Sequence, residues 1–587
     1  MTTKSKLGLT AARGTLLSIA LRLASFILSQ ATVRFVSAAA FGKASVPLEL
    51  LLGTALFVSR EGFRLALTKE SGKKSDDNDA DAKDGGRRLE QQQMINVSWL
   101  SVPLGAIISM IAMYMHLRTC IKSSSIGSEG DSKNENELLD YKMAGILYCV
   151  ASFIESLSEP LVIRCLQQMD VTTKAKAEGV ALVMKSISCF GCSYILGSNW
   201  AVSAFGVSQL LYGVTFTTIM YRHGRSIEGG IQWPKRVVEP TTISNPYKAN
   251  DGIRQSLGQS FDYQQLHLVL IFTLQGLFKH ALTEADKIVL SALAESYDQG
   301  IYAIASSYGG LAARLLLQPI EENARLLFSR QGALIMENVK QCDSKSTKTV
   351  TTTSKHIDEM QTTYSFLLRT VCLIGLLFAM IAVNYTSILL RLLAGHRWGS
   401  NSEAISALSA FCVYTAFLSL NGITEAFVYG VARSGKDIGQ LSIVHAGVGG
   451  IFALIAPGLV STRGAVGLVS ANCICMALRS LYSLYFAWGY FANGERNISS
   501  IGRMFRAVPH PLVVISCIVS FVVTRASRGY FYDETLVGQS WMLASLKHIG
   551  VGIGCVCTTG AVTLWKEADI RSFENLLLFQ SRLALIY

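Results

Sequence analysis

Apolar segments long enough to cross a bilayer recur along almost the whole chain, and no other feature constrains its fold as strongly. About 20 residues at 1.5 Å rise per residue cover the hydrocarbon core. Stretches of that length are read near 15–36, 44–67, 95–117, 142–166, 177–198, 201–221, 266–283, 300–328, 366–393, 403–432, 438–460, 464–493, 508–527 and 543–565. Fourteen such segments predict an all-α polytopic membrane protein, because a segment surrounded by lipid must satisfy its own backbone hydrogen bonds. Half of the 587 residues are apolar, only 16% are charged, and the mean hydropathy is +0.35, which excludes a soluble globular protein of this length. The seventh and eighth segments are the weakest, since TEADKIVLSALAESYDQG between them mixes charge with apolar residues.

The net charge of +12 does not point to nucleic acid, because the Lys and Arg are spread over many short loops without a binding signature. They read instead as orientation signals. With the N-terminus in the cytosol, most Lys and Arg fall in loops on that side. The longest opposite loop, SSSIGSEGDSKNENELLD, is acidic. An even number of spans then returns the C-terminus to the cytosol. The inserts GKKSDDNDADAKDGG and DSKSTKTVTTTSK have disordered composition and fall on the same face. MTTKSKLGLTAARG runs straight into the first apolar span without a cleavage site, so no cleaved signal is expected. The thirteen Cys are scattered, and Cys189-x-x-Cys192 has neither a partner pair nor a nearby His, so no metal ligands are assigned. P-loop, G-x-S-x-G and H-E-x-x-H patterns are absent. Neither a catalytic site nor a cofactor is expected.

The spans divide the chain into an N-lobe of six helices at 1–221, a cytosolic linker at 222–265, a C-lobe of six helices at 266–493, and two extra helices with a cytosolic C-terminus at 494–587. An even number of helices per lobe makes the repeat parallel. Glu61-x-x-Arg64-Leu65 in the second helix aligns with Glu322-x-x-Arg325-Leu326 in the eighth, and Glu159 in the fourth with Glu425 in the tenth.

A charge at the bilayer centre costs roughly 2.5–3.5 kcal/mol on insertion scales, so the charges within these spans must face protein or water. Helical spacing supports this. Arg22, Ser25, Ser29 and Thr32 share one stripe, as do Thr54, Glu61 and Arg64; Ser152, Glu155 and Glu159; Arg314, Gln318, Glu322 and Arg325; and Tyr414, Asn421 and Glu425. The expectation is a wet chamber lined by both lobes. Its Arg residues suit a phosphate-bearing head group, because guanidinium binds phosphate oxygens bidentately. Lipid-facing surface beside it suits a long apolar tail, so the pattern points to a lipid-linked polar substrate. Three other readings stand beside it. Glu61 and Arg64 neutralise each other at i, i+3. Glu322 and Arg325 do the same. Glu155 and Glu159 form a proton or cation site.

RLASFILSQATVRFVSAAAFGKASVPLELL followed by LGTALFVSREGFRLAL closely resembles the N-terminal region of the eukaryotic Rft protein family. That family lies in the multidrug/oligosaccharidyl-lipid/polysaccharide exporter superfamily. The family's R-E-small-F-R element is present as Arg60-Glu61-Gly62-Phe63-Arg64, and its early Arg as Arg22. The resemblance implies translocation of dolichyl-pyrophosphate-linked oligomannose from the cytosolic to the lumenal leaflet of the endoplasmic reticulum for protein N-glycosylation. Arg22, Arg34, Arg60 and Arg64 are then the candidate contacts to pyrophosphate and sugar. Glu61, Glu155, Glu159, Arg314, Glu322, Arg325, Asn421 and Glu425 are candidate cavity or gating residues. The implied partners are the lipid-linked oligosaccharide, the endoplasmic reticulum membrane and glycosyltransferases of the same pathway, with no nucleic acid. An accessory protein that binds the lipid without moving it, and a cation-coupled exporter of small molecules, are the alternatives from other classes.

Overall fold

The structure, a computed structural model, describes residues 25–71, 84–126, 132–168, 170–226, 230–235, 261, 263–341, 347–432, 435–492, 508–531, 536 and 538–567. Arg22 and parts of both low-complexity inserts lie outside the described residues. Among the described residues every regular element is helical. Among the described residues ten helical stretches are long and apolar enough to cross a membrane, one of them, Gly439–Phe491, holding two helices; a pair bent by 42° at Ser158 adds another if it counts as one span. The protein is a polytopic all-α membrane protein, and its described residues do not by themselves supply all fourteen expected spans. The first segment begins outside the described residues. The eighth is interrupted by a π-helical turn, Ala313–Leu317, and carries several charges. The segments at 438–460 and 464–493 are two helices within Gly435–Phe491 that meet at Gly464 without a loop and fold back on one another, bringing Cys475 Sγ to 3.9 Å from the Val448 carbonyl. Gly464 makes this reversal by taking φ 52°, a conformation open to glycine.

Contacts divide the chain into residues 1–291 and 292–587. The first unit contains α1 (helical residues 25–33), α2 (Ala38–Lys43), α3 (Glu49–Ser71), α4 (Asp84–Trp99), α5 (Ser101–Ile126), α6 (Ser132–Leu157), α7 (Glu159–Gln167), α8 (Val171–Leu196), α9 (Ala201–Ser226), α10 (Tyr263–Thr283) and all but the last two residues of α11 (Ala285–Leu293). Small residues bring these helices together. Gly62 of α3 lies so close to α10 that a Cβ there would stand 2.0 Å from Thr273 Oγ1 and 2.7 Å from the Val269 carbonyl. Phe63 beside it is buried with Leu67, Ile163 and Val269. Close approach at small residues is how membrane helices gain packing without a hydrophobic driving force. The sequence grouped 266–283 with the second lobe, whereas α10 packs on α3 and clusters with the first unit, because Gly62 opens the face that receives it.

The second unit contains α12 (Ser296–Ala312), α13 (Gln318–Gln341), α14 (Thr347–Met380), α15 (Thr386–Ala394), α16 (His396–Gly399), α17 (Ser402–Val431), the helical pair α18 (Gly435–Phe491, reversing at Gly464), α19 (Pro511–Phe531) and α20 (Gln539–Lys566). α17 is its hub, packing against α12, α13, α14 and α18. Phe328, Tyr364 and Phe427 form the buried aromatic centre.

Several helices are patterned inside out. On α19, Ile515, Val519, Val522 and Val523 are exposed, while Cys517, Ser520, Thr524 and Ser527 are buried. Thr524 accepts from Asn384 Nδ2 at 2.8 Å, Ser520 meets Thr559 at 3.0 Å, and Ser527 meets His548 at 2.9 Å. On α5, Ile107, Met110, Ile111 and Tyr114 form an exposed apolar stripe. Apolar outside and hydrogen-bonded polar inside is the arrangement that lipid selects.

Candidate functional site

Two parallel rows of charge face each other in the first unit. α3 carries Arg60 and Arg64 one turn apart, and Glu155 and Glu159 lie one turn apart across the α6–α7 bend. Arg64 donates from Nε to Glu159 Oε1 at 2.5 Å and from Nη2 to Glu159 Oε2 at 2.7 Å. Glu159 is 1% exposed. This two-point fork is the strongest geometry an Arg–carboxylate pair can adopt. Ser158 breaks the helix just before Glu159, and Pro160 starts the next one, which lacks an N–H to leave unpaired. The bend turns Glu159 toward α3.

The Arg60–Glu155 pair is looser. Arg60 Nη1 stands 3.7 Å from Glu155 Oε2, beyond direct hydrogen-bonding distance. Glu155 accepts from Gln209 Nε2 at 2.8 Å, and that amide's buried Oε1 has no hydrogen-bond partner. The Arg60 side chain keeps 27% of its surface exposed. Its guanidinium therefore retains donors for another anion, whereas those of Arg64 are engaged by Glu159.

The expected ion pair between Glu61 and Arg64 is replaced by this cross-helix fork. Residues at i, i+3 on a surface gain only a few tenths of a kcal/mol, and a buried carboxylate on the facing helix competes better. Arg34 sits exposed in the turn between α1 and α2.

The second unit has its own buried carboxylate, Glu425 on α17. Arg479 of α18 donates to it from Nε at 2.8 Å and from Nη2 at 3.0 Å, and His445 Nε2 lies 3.0 Å from Oε1. Asn421 Oδ1, one turn earlier, is buried without a hydrogen-bond partner. Arg325 pairs with Glu321 at 2.9 Å rather than with Glu322, which accepts from Gln318 at 2.9 Å. Arg314 is exposed and donates to the Ser307 carbonyl at 3.2 Å. The aligned repeat would give Glu425 to Arg325, as Arg64 takes Glu159, but Arg479 occupies that role. Sequence reasoning missed Arg479; the available signal was a single Arg in the apolar run CMALRSLYSLYF. It also missed Gln209 as the partner of Glu155.

The family model described as Rft protein matches residues 11–574. Relatives named Man(5)GlcNAc(2)-PP-dolichol translocation protein RFT1 include one from Mus musculus, 25% identical over 580 residues that cover 98% of this chain and 97% of the relative. Another, from Schizosaccharomyces pombe, is 28% identical and covers 86% of each chain. A solved structure of the lipid II flippase MurJ in an inward closed conformation superposes with a TM-score of 0.50 at 12% identity. It covers 95% of this chain and 100% of that one, a likeness of fold alone.

Proposed function

Because the chain belongs to the Rft protein family, we propose that it translocates a dolichyl-pyrophosphate-linked oligomannose, the Man(5)GlcNAc(2)-PP-dolichol of its relatives' names, across the endoplasmic reticulum membrane. The direction is from the cytosolic to the lumenal leaflet, with both termini cytosolic, and the product serves protein N-glycosylation. Glycosyltransferases of the same pathway are the protein partners in this reading.

One observation carries the site assignment: the family's R-E-small-F-R element supplies two intramembrane Arg that differ in commitment. Arg64 is locked to Glu159 and shapes the wall. Arg60, held loosely by Glu155, offers its guanidinium to a diphosphate, which outcompetes one distant carboxylate through charge and bidentate geometry. Glu155 then acts as the placeholder that keeps Arg60 paired before the substrate arrives. Gln209 holds the carboxylate in place while Arg60 changes partner.

The test is translocation of lipid-linked oligosaccharide in reconstituted vesicles by the purified full chain. Arg60→Ala is expected to lower the rate at least tenfold while the protein keeps its fold. A wild-type rate in Arg60→Ala overturns the assignment of Arg60.

A second reading also has an observation in its favour. Arg64 and Glu159 saturate one another, as in a static scaffold, so the chain would bind and present the lipid without moving it. In that case vesicles containing the protein bind labelled lipid, lose that binding in Arg60→Ala, and show no translocation above empty vesicles.

A further inference from the structure

Three side chains with metal-ligand chemistry meet around the C-terminal end of α7, the helix that Glu159 begins, and no part of the translocation reading uses them. Cys165 lies in the last turn of α7, Asp170 precedes α8, and His223 lies in the last turn of α9. One ligand atom from each lies within 4.8 Å of the others. We propose that Cys165, Asp170 and His223 bind a zinc ion that ties together the ends of these three helices.

The surroundings suit this. Asp170 Oδ1 is spoken for, accepting from the Thr172 hydroxyl at 2.8 Å and the Thr173 N–H at 3.2 Å as the N-cap of α8. Its other oxygen, Oδ2, faces His223 Nε2 at 3.3 Å. The Asp170 N–H donates to the Cys165 carbonyl at 2.9 Å, so two of the ligands are fixed in one closed turn. The neighbouring cation, Arg164, points elsewhere and donates to the Gly230 carbonyl. Zinc bonds of about 2.0–2.3 Å to N, O and S place tetrahedral ligands roughly 3.3–3.8 Å apart. The Asp170–His223 separation already meets this, and the thiol needs to close by about 1 Å at most. A set of one thiolate, one imidazole and one carboxylate suits zinc better than calcium or magnesium, which take oxygen ligands. Three protein ligands leave a fourth position for water.

Binding is balanced by loss of the thiol proton: the Cys165 S–H bond breaks, the S–Zn bond forms and the proton passes to solvent. His223 binds as neutral imidazole. Affinity therefore rises with pH.

The experiment uses purified full-length protein stripped with a chelator, zinc chloride titrated against a chromophoric chelator, and cobalt(II) as a spectroscopic stand-in. Wild type is expected to bind one zinc per chain, to show a cobalt–thiolate charge-transfer band and to melt at a higher temperature with zinc. Cys165→Ser should abolish the band and weaken zinc at least a hundredfold. Asp170→Asn, which keeps the helix cap, and His223→Gln should each weaken it about tenfold. Should Cys165→Ser fail to fold without metal, His223→Gln carries the same comparison at a partly exposed position. Absence of the band in wild type, or equal zinc affinity in wild type and His223→Gln, overturns the proposal.

Discussion

Arg64 and Glu159, 95 positions apart, meet in a two-point fork of 2.5 and 2.7 Å that closes α3 onto the bend between α6 and α7. The carboxylate is essentially inaccessible. Removing either partner leaves the other as an unpaired charge at low dielectric, which costs about 3–5 kcal/mol, whereas removing both costs much less. Arg64→Ala and Glu159→Ala should each lower the denaturant unfolding midpoint strongly. Arg64→Met with Glu159→Leu should recover most of the loss. Additive single-mutant losses in the double variant would refute a direct pair.

Arg60 should behave differently. Its contact to Glu155 is a looser 3.7 Å and its own side chain keeps 27% exposure, while the buried Glu155 retains Gln209 as a partner, so losing Arg60 should cost less than losing Arg64. Arg60→Ala should lower the unfolding midpoint less than Arg64→Ala while translocation falls at least tenfold. Arg60→Lys should restore charge without the planar fork and recover only part of the rate. A variant equally damaged in stability and transport would place Arg60 in the scaffold with Arg64.

Gly62 sits between the two Arg and has no room for a side chain. Gly62→Ala drives a methyl into Thr273 and the Val269 carbonyl, and overpacking of this kind costs about 1–3 kcal/mol. Thr273→Ala should relieve the hydroxyl clash but not the backbone one at 2.7 Å, so the double variant should recover only part of the midpoint. Full recovery would mean that α10 shifts freely, contrary to the tight packing on α3.

In the second unit, Arg479→Ala should match Arg64→Ala in its cost, because Glu425 loses both hydrogen bonds of its fork and keeps only His445. Glu425→Gln should be milder, since the amide oxygen still accepts from one partner. The comparison is made by unfolding midpoints. An Arg325→Ala loss larger than that of Arg479→Ala would restore the pairing suggested by the sequence repeat.

Much of this protein is written in residue order. The apolar runs fix an all-α membrane fold, because lipid leaves a segment no backbone partners but its own. The intervals between Arg60 and Arg64 and between Glu155 and Glu159 place each pair on one helical face. Arg60-Glu61-Gly62-Phe63-Arg64 signals the family.

Which charge meets which was a matter for tertiary structure alone. Glu61 is three residues from Arg64 and Glu159 is 95 away, yet Arg64 chose Glu159, since the bend at Ser158 aims a desolvated carboxylate at it and a buried two-point fork outweighs a partly exposed neighbour. The same holds for Arg479 on Glu425, for Gly62 beneath α10, and for Cys165, Asp170 and His223 at three separate helix ends. Periodicity reports the face of a helix, whereas packing decides which other face is brought against it.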